Sequence, residues 1–174
     1  MENQEIIVVY AKRREEFAHL LSQLINSTTE YGVAEWEEKH WDSSKPTILA
    51  SQKIIYLGSA GDSHHLAVEW HFNNFSMKYG WLGDRCVLDV GRIDLGKVSA
   101  FKKHYKERAE HFKYIADKAK GGGLAWFALL GGWVAPILLA GGLLLDRKKL
   151  KKYQYQLLVC EFIFEGGFKK FMEG

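Results

Sequence analysis

From Gly121 to Leu145 the chain runs for 25 residues, GGGLAWFALLGGWVAPILLAGGLLL, without a charged side chain. Any fold must hide such a run, in lipid or against protein, because apolar surface left in water is unfavourable. As one straight helix it is long enough to cross the roughly 30 Å hydrocarbon core of a bilayer. Cations bracket it, with Lys118 and Lys120 before it and Arg147, Lys148, Lys149, Lys151 and Lys152 after it. Residues 97–152 hold 13 Lys/Arg against 4 Asp/Glu, a net of +9, whereas the remainder holds 11 against 17, a net of −6. Basic residues beside anionic headgroups contribute about 1 kcal/mol each. Charge and apolarity therefore direct this part of the chain to an anionic lipid surface. Nucleic acid competes for any basic patch, but this patch flanks an apolar segment and not a recognition helix, so no nucleic-acid partner is expected.

The length, 174 residues, fits one domain with a substantial core. Hydrophobic residues at 47% and charged residues at 26% exclude wholesale disorder. Cys86 and Cys160 lie 74 positions apart, each inside an apolar run, which suits buried free thiols in a reducing compartment. The opening MENQEIIVVYAKRREEF has no signal-peptide pattern. The expected location is the cytoplasmic face of a membrane.

Three parts follow from this: an α/β domain over 1–120, the glycine-rich apolar segment 121–145, and a basic linker with a last strand over 146–174. EIIVVYA (5–11) is rich in β-branched residues, as in a strand buried on both faces. Phe17, Leu20, Leu21, Leu24 and Ile25 repeat at helical spacing over 13–26. YGVAEWEEKHW (31–41) reads as a strand or an irregular edge, KIIYLG (53–58) as a buried strand, and RCVLDV (85–90) as a fourth strand. A helix capped by Asp62 or Ser63 is expected to run to Asn73, and MKYGWLG (77–83) reads as an aromatic-glycine loop. Residues 97–119 form a basic amphipathic helix with Val98, Phe101, Tyr105, Phe112 and Ile115 on its apolar stripe. YQYQLLVCEFIF (153–164) reads as the fifth strand. Strands alternating with helices imply a flavodoxin-like three-layer α/β sandwich with about five mostly parallel strands.

A last strand in the same sheet puts both ends of the apolar run in one compartment. Twenty-five residues are too few for two full crossings at a rise of about 1.5 Å per residue. Gly131, Gly132 and Pro136 supply a bend near the centre. The favoured form is a shallow or re-entrant hairpin, with Trp126 and Trp133 at the headgroups, Phe127, Leu130, Ile137 and Leu138 in the acyl region, and Lys148 and Lys149 on anionic lipid. Two alternatives stay open. One is a single transmembrane helix associating through Ala128, Gly132 and Ala140. The other is a segment buried inside a soluble homo-oligomer.

Polar chemistry concentrates after the third strand, in IIYLG-SAGDS-HHLAVE. Open α/β sheets bind ligands outside the carboxyl ends of their strands, and a small-residue loop leading to a helix N-terminus favours anions. Ser59, Asp62, Ser63 and His65 are the candidate ligand-binding residues. On a helix, His65 and Glu69 would share a face. His64, His65 and His71 lack metal-ligand spacing, and no phosphate loop or HExxH motif occurs.

A strand ending Leu57-Gly58-Ser59, a polar loop, and a helix with a glutamate ten residues on resembles TIR and TIR-like domains. Nucleoside deoxyribosyltransferases look similar in the same region. The resemblance covers residues 5–90. It implies NAD or another nucleotide as ligand and cleavage of an N-glycosidic bond, with Glu69 as the catalytic carboxylate, or else a non-catalytic signalling role. The tryptophan usual just before the family glutamate is absent, and Trp70 follows Glu69 instead. The expectation is a membrane-associated signalling or effector protein that binds a nucleotide-type ligand. An N-glycosidase using Glu69 and a soluble oligomeric interaction protein are the alternatives.

Overall fold

The computed structural model describes residues 5–38, 52–57, 69–72, 75–118 and 147–174. Six strands form one sheet: β1 (Glu5–Tyr10), β2 (Gly32–Glu37), β3 (Ile54–Leu57), β4 (Glu69–Phe72), β5 (Met77–Leu82) and β6 (Arg85–Val90), in the order β2-β1-β3-β6-β5-β4. β1 pairs in parallel with β2 and β3, and β3 with β6. β5 runs antiparallel to β6, and β4 to β5. The fold is α/β with a mostly parallel sheet, as the sequence implies. Its four parallel strands follow the second-first-third-fourth order of flavodoxin-like sheets.

Four helices are described: α1 (Glu15–Thr28), α2 (Val98–Lys118), α3 (Arg147–Phe164) and α4 (Gly167–Glu173). All four contribute to the core on the sheet face that presents Ile6, Val8, Ile55, Leu57, Cys86 and Leu88. The opposite face carries a smaller buried set, Ile7, Val9 and Ile54, with Trp36 and Tyr56 against it. The alternation along β1 and β3 is the period-2 geometry of strands.

Three expectations are corrected. Residues 153–164 are helical and complete α3. Every residue from Tyr153 to Phe162 is buried, because α3 packs on β5 and β6 and is flanked by the other three helices. A helix buried on all sides has no polar stripe, so its sequence reads as a continuous apolar run. Residues 77–82 form β5, whose Met77, Tyr79 and Trp81 face the main core. The helix expected through Asn73 gives way over Glu69–Phe72 to β4. Gly83, with φ 56°, occupies the first position of the two-residue turn between β5 and β6. That is where a type II′ hairpin requires glycine.

The correction at α3 preserves one topological consequence by a different route. α2 and α3 pack side by side and run in the same direction, Tyr105 meeting Tyr153 at 5.3 Å and Phe112 meeting Phe164 at 5.6 Å between ring centroids. Tyr105 Oη also donates to Gln156 Oε1 at 3.3 Å, and Arg108 pairs with Glu161 and Glu165. Both flanks of the apolar run thus belong to one packed unit. The run itself, residues 121–145, lies outside the described residues. Among those described, no helix is long and apolar enough to cross a membrane.

Both cysteines are free and buried. Burial raises the Cys160 thiol from 9.0 to about 12 and the Cys86 thiol well above the same ordinary value. Well below pH 9 the folded and unfolded chains hold both thiol protons alike. As the pH rises further the unfolded chain releases them while the folded chain retains them, so stability must fall. Thermal unfolding is expected to stay level between pH 7 and about 8.5 and to drop progressively from there toward pH 11. Cys160→Ala should make that slope shallower. An unchanged slope in the variant would assign the alkaline loss to other groups.

Candidate functional site

The carboxyl edge of the parallel strands is where the chain places its accessible chemistry. After β1 it turns through a short 3-10 segment, Lys12–Arg14, into α1. After β6 it passes through Gly91–Asp94 to a second 3-10 turn, Leu95–Lys97, and then α2. The Gly91 amide donates to Ser76 O at 2.7 Å, and Ser76 Oγ to Arg92 O at 3.2 Å, which pins this second segment to the start of β5. The first turns of α3 stand beside both segments.

Two cavities open there. One, of about 320 Å³, is lined by Arg13, Arg14, Glu16, Phe17, Lys151, Lys152 and Tyr155. The other, of about 300 Å³, is lined by Gly91, Arg92, Ile93, Leu95, Leu150, Lys151 and Gln154. Lys151 belongs to both. Each volume lies at the lower end of the range for small-molecule sites.

The walls are fixed before any ligand arrives. Arg14 is 3% exposed. Its guanidinium lies 4.6 Å from the Tyr155 ring centroid and donates to Tyr155 Oη. The Tyr155 ring stacks on Phe17 at 5.0 Å. Gln154 Nε2 donates to Phe75 O at 2.6 Å. Lys152 Nζ lies 2.9 Å from Glu16, the one carboxylate among the described residues that line the first cavity.

Electrostatically the site is overloaded with positive charge. α3 begins Arg147-Lys148-Lys149-Leu150-Lys151-Lys152, with no acidic residue in its first turn. A helix N-terminus carries the positive end of the macrodipole and favours anions, so this sequence opposes its own helix. The Lys151 ammonium is held below its ordinary pKa range first by desolvation, then by the guanidinium groups of Arg14 and Arg13; Asp89 acts in the other direction. Asp89 is 2% exposed, on β6, with Oδ2 3.7 Å from Lys78 Nζ. Cations gathered against one another in this way are relieved by an anion. Comparison with protein-family models, with curated proteins and with solved structures finds no match. The chemistry of this edge therefore rests on its own geometry.

Of the residues singled out from sequence, Ser59, Asp62, Ser63 and His65 lie outside the described residues, as do Trp126, Phe127, Leu130, Trp133, Ile137 and Leu138. Lys148 and Lys149 fall in the first turn of α3. Glu69 opens β4 at the sheet edge, in a row with Trp81, Cys86 and Ile55. Glu69 lies three strand spacings, about 14 Å, from Ile55 on β3. The shared helical face expected for His65 and Glu69 is thus replaced by a strand position at Glu69. Among the described residues no group of three His, Cys, Asp or Glu side chains could hold a metal ion.

Arg13, Arg14, Arg92, Gln154 and Tyr155 were not candidates on sequence. The signal for Arg13 and Arg14 was available, since AKRREEF directly follows the first strand and the carboxyl ends of strands are where such sheets bind ligands. Lys151 and Lys152 were read only as a membrane flank. Gln154 and Tyr155 were hidden by the reading of their segment as a strand.

Proposed function

We propose that the protein is a membrane-associated signalling or effector module of TIR-like, flavodoxin-like character, working at the cytoplasmic face of a membrane. It binds a nucleotide-type anion in the crevice between Arg13, Arg14, Arg92, Lys151 and Lys152, and it acts on anionic lipid through the apolar segment 121–145. The observation that carries this reading is the position of Lys151. It lines both cavities and follows the last residue of the apolar run, Leu145, by six positions.

The same cations serve both partners. Lys151 and Lys152 flank a segment suited to lipid, and each contributes to attraction toward an anionic surface. A ligand that occupies them removes that contribution. Ligand and anionic lipid are then antagonists, and by linkage each weakens the other's binding by the same factor. Packing of α2 against α3 supports a re-entrant and not a spanning arrangement, because a single crossing would separate two helices that share a core.

The intact chain and a version lacking 121–145, floated with anionic vesicles and then washed in carbonate, test this reading. Only the intact chain is expected to remain with the vesicles. Equal recovery of both in the soluble fraction would remove the membrane role. An NAD-cleavage activity lost in Glu69→Ala would replace it with the glycosidase reading.

A further inference from the structure

The two cavities differ in kind, and the difference identifies the class of ligand. Among the described residues, the first presents four cations and one carboxylate; that carboxylate is paired with Lys152, and Arg14 is held on Tyr155. A single phosphate ester brings a charge of only about −1.5 to −2, too little to match this set. The second cavity presents one guanidinium, Arg92, beside Ile93, Leu95 and Leu150. Leu95 is 66% exposed, an apolar lip left in water at the mouth of the cavity. An arginine beside aliphatic side chains suits a planar aromatic ring, which the guanidinium can stack upon. Lys151 joins the halves.

We propose that the two cavities are one bipartite site for a nucleoside diphosphate, with the diphosphate over Arg13, Arg14, Lys151 and Lys152 and the nucleoside against Arg92, Ile93, Leu95 and Leu150. This rests on the ligand-binding reading above and specifies its ligand. Lys151 is the pivot, facing the phosphate nearest the sugar from between the subsites. Like charges held together in this way are relieved by an anion.

Calorimetric titration of the full chain with phosphate, pyrophosphate, AMP, ADP and GDP tests the proposal. A nucleoside diphosphate is expected to bind at least about tenfold tighter than either pyrophosphate or AMP. Lys151→Gln should weaken the diphosphate nucleotide by about tenfold or more, the loss of a charged hydrogen-bonding partner. Leu95→Ser, which removes the exposed apolar lip without adding charge, should reduce the advantage of ADP over pyrophosphate. Equal binding of ADP and pyrophosphate, or no effect of Leu95→Ser on ADP, overturns the bipartite site. So does preferential capture by vesicles carrying a bisphosphorylated inositol lipid over ADP, which would assign the cations to a headgroup. Tight ADP binding with no response of vesicle flotation would instead sink the antagonism with lipid alone.

Discussion

Tyr155→Ala is expected to destabilise the protein by about 3–5 kcal/mol, the range for truncating a large buried aromatic. Tyr155 is 1% exposed. Its ring stacks on Phe17 at 5.0 Å and lies under the Arg14 guanidinium, and its hydroxyl accepts a hydrogen bond from Arg14. The alanine leaves a cavity between α1 and α3 and takes from a buried cation both its aromatic face and one acceptor. Tyr155→Phe keeps the ring and loses only the acceptor, a cost of about 1.5–3 kcal/mol for a bond to a charged group. For a chain of this size the alanine variant should melt roughly 6–20 °C lower. Equal losses in the two variants would mean that the hydroxyl alone matters and that the stack contributes nothing.

Gly167→Val is the second large effect, and it operates at the other end of α3. A side chain at Gly167 would meet Phe162 Cδ2 and the Tyr79 ring at 2.9 Å, closer than real Cβ contacts come. Gly166, with φ 85°, ends α3 in the left-handed region that glycine tolerates, and α4 follows at once. The corner lays Phe168 and Phe171 onto the core, and Lys53 Nζ donates to Phe171 O at 2.6 Å. Overpacking a tight site typically costs about 1–3 kcal/mol, and the branched valine should reach the upper end. Gly166→Ala meets nothing within 4 Å, so it should cost only the backbone strain, about 1–2 kcal/mol. Chemical denaturation of the two variants separates clash from strain. A valine variant no less stable than the alanine one would contradict the close packing of Gly167 on Tyr79.

The parts of the fold most readable in sequence were the helices with one wet side and the short buried strands. α1 and α2 declared themselves through apolar stripes against charged faces, and β1, β3 and β6 through β-branched or aliphatic runs too short for helices. The buried helix was harder. α3 buries every side chain from Tyr153 to Phe162, which erased the period that would mark a helix. The length of the element was the remaining clue, since Arg147–Phe164 is 18 residues, far beyond an ordinary strand. In β5 the alternation of Met77, Tyr79 and Trp81 was present, but Gly80 among aromatics suggested a loop. β4 is four residues long, too short for either period to register.

The site was legible as a location more than as a set of residues. The rule that ligands lie beyond the carboxyl ends of parallel strands points to the edge where these two cavities open. The choice of the segment after β3, made on small polar residues, passed over the segments after β1 and β6. Arg13 and Arg14 follow the first strand in sequence. Lys151 reaches them only through the packing of α3 on α1, a contact between residues more than 130 positions apart. No local pattern encodes that pairing. It is a product of the tertiary core, where Phe17 and Tyr155 bring the two basic segments together.

Antagonism between an anionic ligand and an anionic surface for the same lysines is the central claim, and vesicle flotation in the presence of a nucleoside diphosphate tests it most directly. The full chain would be floated with anionic vesicles at fixed salt, with and without ADP, beside Lys151→Gln. ADP is expected to lower the bound fraction of the wild-type chain and to have little effect on the variant. A bound fraction that ADP leaves unchanged or raises in the wild-type chain, under conditions where ADP binding is measured independently, would contradict the account.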